Sequence, residues 1–146
     1  MTNLPGNMTG NYYVRAVRPA FHDAKYWLPH MRDRALLRRH ALKLRFWGAG
    51  GLVEDLDWDW IKALRTERIG ELRIGDALGG CDNLRVITWH PQILARPSWA
   101  PTHEPVPHIW VIGVLQKKRD EFTKANCKTF LLRRRTVIDR FYDGNV

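Results

Sequence analysis

The sequence predicts an α+β domain: a small antiparallel (mixed) sheet with N-terminal helices packed on it and a C-terminal helix. Three observations predict it. Gly70–Ile74, Leu84–Trp89 and Ile109–Leu115 show the alternation or the β-branched and aromatic density of strands. Pro19–Trp47 and Phe122–Tyr142 instead repeat apolar residues at spacings of three and four, the period of a helix with one buried face. The breaks between these stretches fall on Gly and Pro clusters, where the chain turns.

In chain order, Met1–Asn11 holds Pro5, Gly6 and Gly10 and reads as a flexible arm. Tyr12–Val17 alternates as a short strand. The helical stretch that follows contains Pro29, which lacks an N–H and crowds the preceding turn, so two helices or one kinked helix are expected. Met31, Ala35 and Leu42, with Leu37, Ala41 and Leu44, lie toward one side, and arginines and Lys43 take the others. Gly48-Ala49-Gly50-Gly51 stops the helix. Leu56–Leu64, with Trp58-Asp59-Trp60 inside it, is expected to be a helix or a turn of one. Gly75–Asn83 suits a hairpin loop. Pro91–Pro107 is too rich in proline for a strand or helix interior and reads as a surface insert of residues 91–107 between two strands. Ile109–Leu115 is apolar almost throughout, as a strand covered on both faces should be. In Phe122–Tyr142, Cys127, Phe130, Leu131, Val137, Ile138, Phe141 and Tyr142 form the apolar face.

The 146 residues suit one domain by the usual range of about 100–200. With 45% apolar residues, the chain has the material for a core without disulfides. Cys81 and Cys127 stand apart from any Cys-x-x-Cys motif and do not make a disulfide framework. No apolar run approaches the roughly 18 residues of a membrane span, and Met1–Asn11 lacks the parts of a signal peptide, so no membrane partner and a cytoplasmic location are expected.

Charge carries the functional signal. Lys and Arg number 24 against 15 Asp and Glu, a formal net charge of +9, which reads either as a device for solubility or as a surface for a polyanionic partner: nucleic acid, an anionic membrane or an acidic protein. Residues 117–140 alone hold nine cations and three acids. Such a run reads either as a solvated helix face or as a surface for phosphates, and the shortage of acids favours the second. The candidate nucleic-acid contacts are Lys117, Arg119, Lys124, Lys128, Arg133, Arg134 and Arg135.

Signatures of other chemistry are weak. No nucleotide-binding loop or nucleophile elbow is present. His103, Glu104 and His108 lie in or beside the proline-rich insert without a fixed face, and Asp55, Asp57 and Asp59 lack the closing glutamate of a calcium loop, so no metal and no cofactor are expected. His90, at a strand end, is a candidate general base or an ordinary strand-terminal residue.

Four strings follow one another along the chain: Lys62-Ala63-Leu64, Gly70-Glu71-Leu72-Arg73-Ile74, Leu84-Arg85-Val86-Ile87, and an apolar strand ending Leu115-Gln116-Lys117-Lys118. Over roughly residues 60–125 this resembles the RelE/HigB superfamily of type II toxin–antitoxin toxins, especially its phage-related HigB-like branch. The resemblance implies a RelE-like fold and a metal-independent, ribosome-dependent mRNA endoribonuclease. The implied partners are the ribosome, mRNA and a cognate antitoxin, a small DNA-binding protein. It places Arg73, Arg85 and Lys118 at the family's basic catalytic positions, with Lys117 beside them. Two departures stand out. Ile69 and Glu71 occupy places where ribosome-dependent members carry lysines, and Lys124 falls near the place of their C-terminal tyrosine. These support an alternative, a toxin-fold protein without nuclease activity: a topoisomerase poison like the ParE branch, or an inactive nucleic-acid- or ribosome-binding module. Alternation adds one geometric expectation. With Leu84 and Val86 inward, Arg85 turns to the open face with Arg73, near Lys118; the two arginines read either as structural residues paired with acids such as Glu71 or Asp82, or as site residues, and the site reading expects an exposed Arg85 whose loss leaves stability intact.

Overall fold

A computed structural model of the chain describes residues 12–47, 56–75, 77–92 and 107–142. The N-terminal arm and the stop at 48–51 lie outside the described residues, as does most of the 91–107 insert. The elements are β1 (Tyr13–Ala16), α1 (Arg18–Trp27), α2 (Met31–Leu42), β2 (Trp58–Trp60), β3 (Ile69–Arg73), β4 (Leu84–Trp89), β5 (His108–Gln116) and α3 (Lys124–Phe141), with 3-10 turns at Lys43–Phe46 and Lys62–Leu64. The strands form one mixed sheet in the order β1-β5-β4-β3-β2, in which only β1 and β5 run parallel. The predicted α+β class and the three central strands are present.

Helices cover both faces of the sheet. Ala20, Leu28, Leu37 and Leu44 pack with Leu72, Leu84, Val86, Ile109 and Val111 on the face under α1 and α2. Phe130, Val137 and Ile138 of α3 pack with Ile69, Ile87, Trp89, Trp110 and Ile112 on the other. Successive side chains of a strand alternate between faces, so β5 feeds both cores and must be apolar along its length. The helix ends are fixed locally. Thr123 Oγ1 accepts from Asn126 N while Asn126 Oδ1 accepts from Thr123 N, a reciprocal capping box that starts α3. Arg34 donates to the carbonyls of Leu28 and Pro29, at 2.8 Å each, where α1 ends. Between β3 and β4, Leu78 and Cys81 pair around Gly79 and Gly80, whose φ of 54° and 79° give the two left-handed centres of a tight hairpin turn.

Two expectations are corrected. Trp58-Asp59-Trp60 is a strand, not part of a helix: Asp59 is exposed and its Trp neighbours are half-buried, the period of two. Trp58 also lies across Gly70 of β3, where a Cβ would collide with its ring. On α2 Leu37 faces the core, as does Leu44 in the 3-10 turn after it, and Ala41 is half-buried, but Met31, Ala35 and Leu42 are exposed. The six apolar positions are spread too widely to bury together.

The open edge of β5 is sealed by an ion pair. β1 ends opposite Val111, and the β4 register passes from Val111 to Gly113, skipping Ile112. Past that point Asp23 of α1 accepts the Val114 N–H at 3.1 Å, and Arg133 of α3 donates to the Ile112 carbonyl at 3.0 Å. Arg133 also grips both oxygens of Asp23, at 2.6 and 3.3 Å. Gly113 makes room for this, since a Cβ there would lie 3.1 Å from Arg133 Nη1. Edge groups that would template another strand are thereby used within the molecule.

Candidate nucleic-acid interface

Five cations converge where three strands end. Arg73 closes β3, Arg85 lies opposite it on β4 in direct register, and Lys117, Lys118 and Arg119 follow β5. Together they line one cleft, with Asp120 as its single acidic wall residue. Asn83, at φ 50°, turns the chain into β4 at the same place, and its carbonyl accepts the Lys117 N–H at 2.9 Å. The left-handed turn brings the end of β5 beside the start of β4.

The cations are not equivalent, because Glu71 lies behind them. Its carboxylate is buried on the same face of β3 as Arg73. Arg85 Nε donates to Glu71 Oε1 at 2.7 Å, and Lys117 Nζ stands 3.5 Å from Oε2. The Arg85 and Lys117 side chains are each only 13% exposed and that of Glu71 6%, so the exposed Arg85 expected from alternation is corrected. Strand alternation set its face correctly, but Glu71, two residues before Arg73 on the neighbouring strand, draws the guanidinium down onto the sheet. Lys117 Nζ also lies 4.7 Å from the centre of the Phe122 ring. Arg73 pairs with Asp57 at 3.3 Å through two exposed side chains, a weak contact that a phosphate can displace. Lys118 and Arg119 are exposed.

Charge and shape suit a phosphodiester backbone. Arg85, held at Nε by a buried carboxylate, brings to the cleft wall a planar guanidinium, a group whose fork matches phosphate oxygens. Arg73, Lys118 and Arg119 add charge at the mouth.

The remaining predicted contacts lie on α3 and do not line this cleft. Lys124 and Lys128 are exposed. Arg133 is the sheet-edge residue described above. Arg134 lies over the Trp89 ring at 5.5 Å, and burial lowers its guanidinium pKa. Arg135 faces Asp139 one turn on, at 3.8 Å. The arginine triplet therefore does different kinds of work: Arg133 closes the sheet edge, Arg134 packs on Trp89 and Arg135 pairs along the helix. No sequence signal marked Asp23 as the partner of Arg133, 110 residues away.

His90 is not near the cleft. It follows the opposite end of β4, 1% exposed, with ring centroids of Trp47, Trp58 and Trp60 at 4.4, 4.8 and 5.4 Å. Its Nε2 lies 2.7 Å from Thr88 Oγ1, which also accepts from Trp58 Nε1 at 3.0 Å. Burial, and then the nearby Arg68 charge, hold its pKa well below the ordinary 6.5. A sealed, neutral imidazole is a packing group and not the base of this cleft.

Among the described residues no three His, Cys, Asp or Glu side chains gather as a metal site. No described helix is long and apolar enough to cross a membrane. Comparison with protein-family models, with curated proteins and with solved structures finds no match to this chain.

Proposed function

We propose that the protein is a RelE/HigB-like toxin of a type II toxin–antitoxin pair, and that it binds mRNA on the ribosome and cleaves it without a metal. The observation that carries this reading is the cleft: Arg73, Arg85 and Lys118, singled out by the resemblance, converge there with Lys117 and Arg119. In-line attack of a 2′-hydroxyl on its neighbouring phosphate forms a 2′-O–P bond and breaks the bond to the 5′ oxygen, the hydroxyl proton passing to Asp120 of the cleft wall or to water, and builds negative charge on the non-bridging oxygens. A preorganised arginine and nearby lysines are suited to stabilise that charge. Arg85 would grip the scissile phosphate, Lys118 would stabilise or protonate the departing oxygen, and Arg73 would hold the adjacent phosphate.

One observation favours a second reading, a toxin-fold protein that binds without cleaving. The carboxylate behind the cleft, Glu71, is occupied by both Arg85 and Lys117, and His90 is sealed elsewhere. That leaves Asp120 as the proton acceptor on the cleft wall.

The test is induced expression in a bacterial host with mapping of mRNA 5′ ends. Growth arrest with new ends that disappear when translation initiation is blocked is the expected result. Arrest with intact mRNA and induced DNA-damage signalling selects the topoisomerase-poison form of the second reading. Normal growth with unchanged ends overturns the toxin reading.

A further inference from the structure

The outward face of α2 carries a feature that the cleft does not explain. Met31, Ala35, Arg38, Leu42 and Arg45 follow one another at intervals of four, three, four and three residues, and all are exposed. Met31 is 76% exposed and Leu42 37%, although both are large and apolar. On α2 this is the four-and-three spacing of a heptad seam, apolar at Met31, Ala35 and Leu42 with Arg38 among them, and Arg45 follows in the 3-10 turn beyond. Arg32 and Arg39 fall at the flanking e positions, also exposed. The one acid of α2, Asp33, is half-buried toward Gly79 and leaves this face without negative charge. The helix is already anchored through Leu37 and, beyond it, Leu44, so the seam is surplus to the fold.

We propose that this seam docks one acidic amphipathic helix of a partner protein, apolar residues against Met31, Ala35 and Leu42 and carboxylates against Arg32, Arg38, Arg39 and Arg45. The stripe is one or two side chains wide. That suits knobs-into-holes pairing with a single helix, whereas membrane insertion needs an apolar face of about 100° or more. A second copy of α2 would bring arginine against arginine. Charge complementarity therefore selects an acidic partner. α2 covers the sheet face opposite α3, while Glu71 and Arg85 lie on α3's face, so docking leaves the cleft open. The inference stands apart from the proposed function.

The test uses the intact protein and a labelled 21-residue helical peptide with Leu at a and d and Glu at e and g, followed by fluorescence anisotropy. Glu–Glu repulsion keeps this peptide from pairing with itself. It should bind, while the same peptide with Lys for Glu should bind at least tenfold more weakly. Arg32→Glu with Arg39→Glu should reverse that order. Met31→Glu with Leu42→Glu should abolish binding of the Glu peptide. All four positions are exposed, so these variants keep the fold, checked by circular dichroism. Absence of Glu-peptide binding, or binding indifferent to the four substitutions, overturns the proposal. So does association with anionic phosphatidylglycerol vesicles, or self-association by sedimentation, that is lost on substitution while the peptide fails to bind. Affinity for a single-stranded RNA oligonucleotide, measured on the same variants, reports on the cleft separately.

Discussion

The two ends of β4 bury polar groups in opposite ways. At the Arg85 end, charge is buried against charge, with one carboxylate serving two cations. At the His90 end, a titratable ring lies under three tryptophans and is kept neutral, with a hydroxyl for partner. The first arrangement keeps a fixed positive group beside solvent, which a phosphate-binding cleft needs. The second gives up charge for packing. The difference teaches that polar residues at the ends of one strand can be read only with their cross-strand neighbours.

The largest expected effect comes from breaking the charged end. Glu71→Ala leaves Arg85 and Lys117 largely buried without their counter-charge, and should cost about 3–5 kcal/mol in urea-induced unfolding. Glu71→Leu with Arg85→Leu removes both partners of the shorter pair and should recover much of that loss. A single substitution costing under about 1 kcal/mol would show that the two cations reach water instead. The Asp23–Arg133 pair calibrates the result, because its side chains are about a quarter exposed. Arg133→Ala should cost less, about 1–3 kcal/mol, chiefly by leaving the Ile112 carbonyl without its donor and the Asp23 carboxylate without its counter-charge.

The sheet was legible in the sequence wherever one local pattern decided it. Leu84–Trp89 is observed as predicted, and β5 extends Ile109–Leu115 by one residue at each end. β2 was missed because a three-residue strand is too short to display its period before the Gly70–Trp58 contact defines it. Half of the site was legible. Alternation put Arg73 and Arg85 on one face, and order along the chain brought Lys117 and Lys118 to the same end. The burial of Arg85 was not legible, because it depends on the depth of Glu71 and not on spacing. Nor was the exposure of Met31, where a heptad seam and a core-facing stripe share the same letters.

The neutral end predicts a pH dependence of opposite origin. His90 has a lowered pKa in the folded chain and an ordinary one, near 6.5, when unfolded. Above 6.5 both states are neutral there, and its contribution to stability is complete. As pH falls below 6.5 the unfolded chain takes up a proton that the folded chain refuses, so stability falls by up to about 1.4 kcal/mol per pH unit until the folded pKa is reached. Melting temperatures measured between pH 8 and pH 5 should drop, and His90→Gln should flatten that drop even if it melts lower throughout. An equally steep fall in the variant would assign the acid sensitivity to other groups.

The smallest expected effect on stability carries the sharpest information about the cleft. Lys118 and Arg119 are exposed and reach no partner among the described residues through hydrogen bond or ion pair. Replacing both with Ala should change unfolding free energy by less than about 0.5 kcal/mol. Lys117, also a candidate contact, is unsuitable for this comparison because its loss disturbs Glu71. Each phosphate contact to a single strand contributes about 0.7 to the log–log dependence of affinity on salt, so the double variant should lower that slope by about 1.4. Arg73→Ala gives up only its exposed pair with Asp57, and should lower it by about half as much. Binding of single-stranded RNA across a salt series reads both numbers. An unchanged slope in a folded variant would make the mouth of the cleft a solvated surface and leave Arg85 alone to meet phosphate. A loss of affinity at every salt concentration with no change of slope would show that these side chains contact bases or shape the cleft without neutralising the backbone.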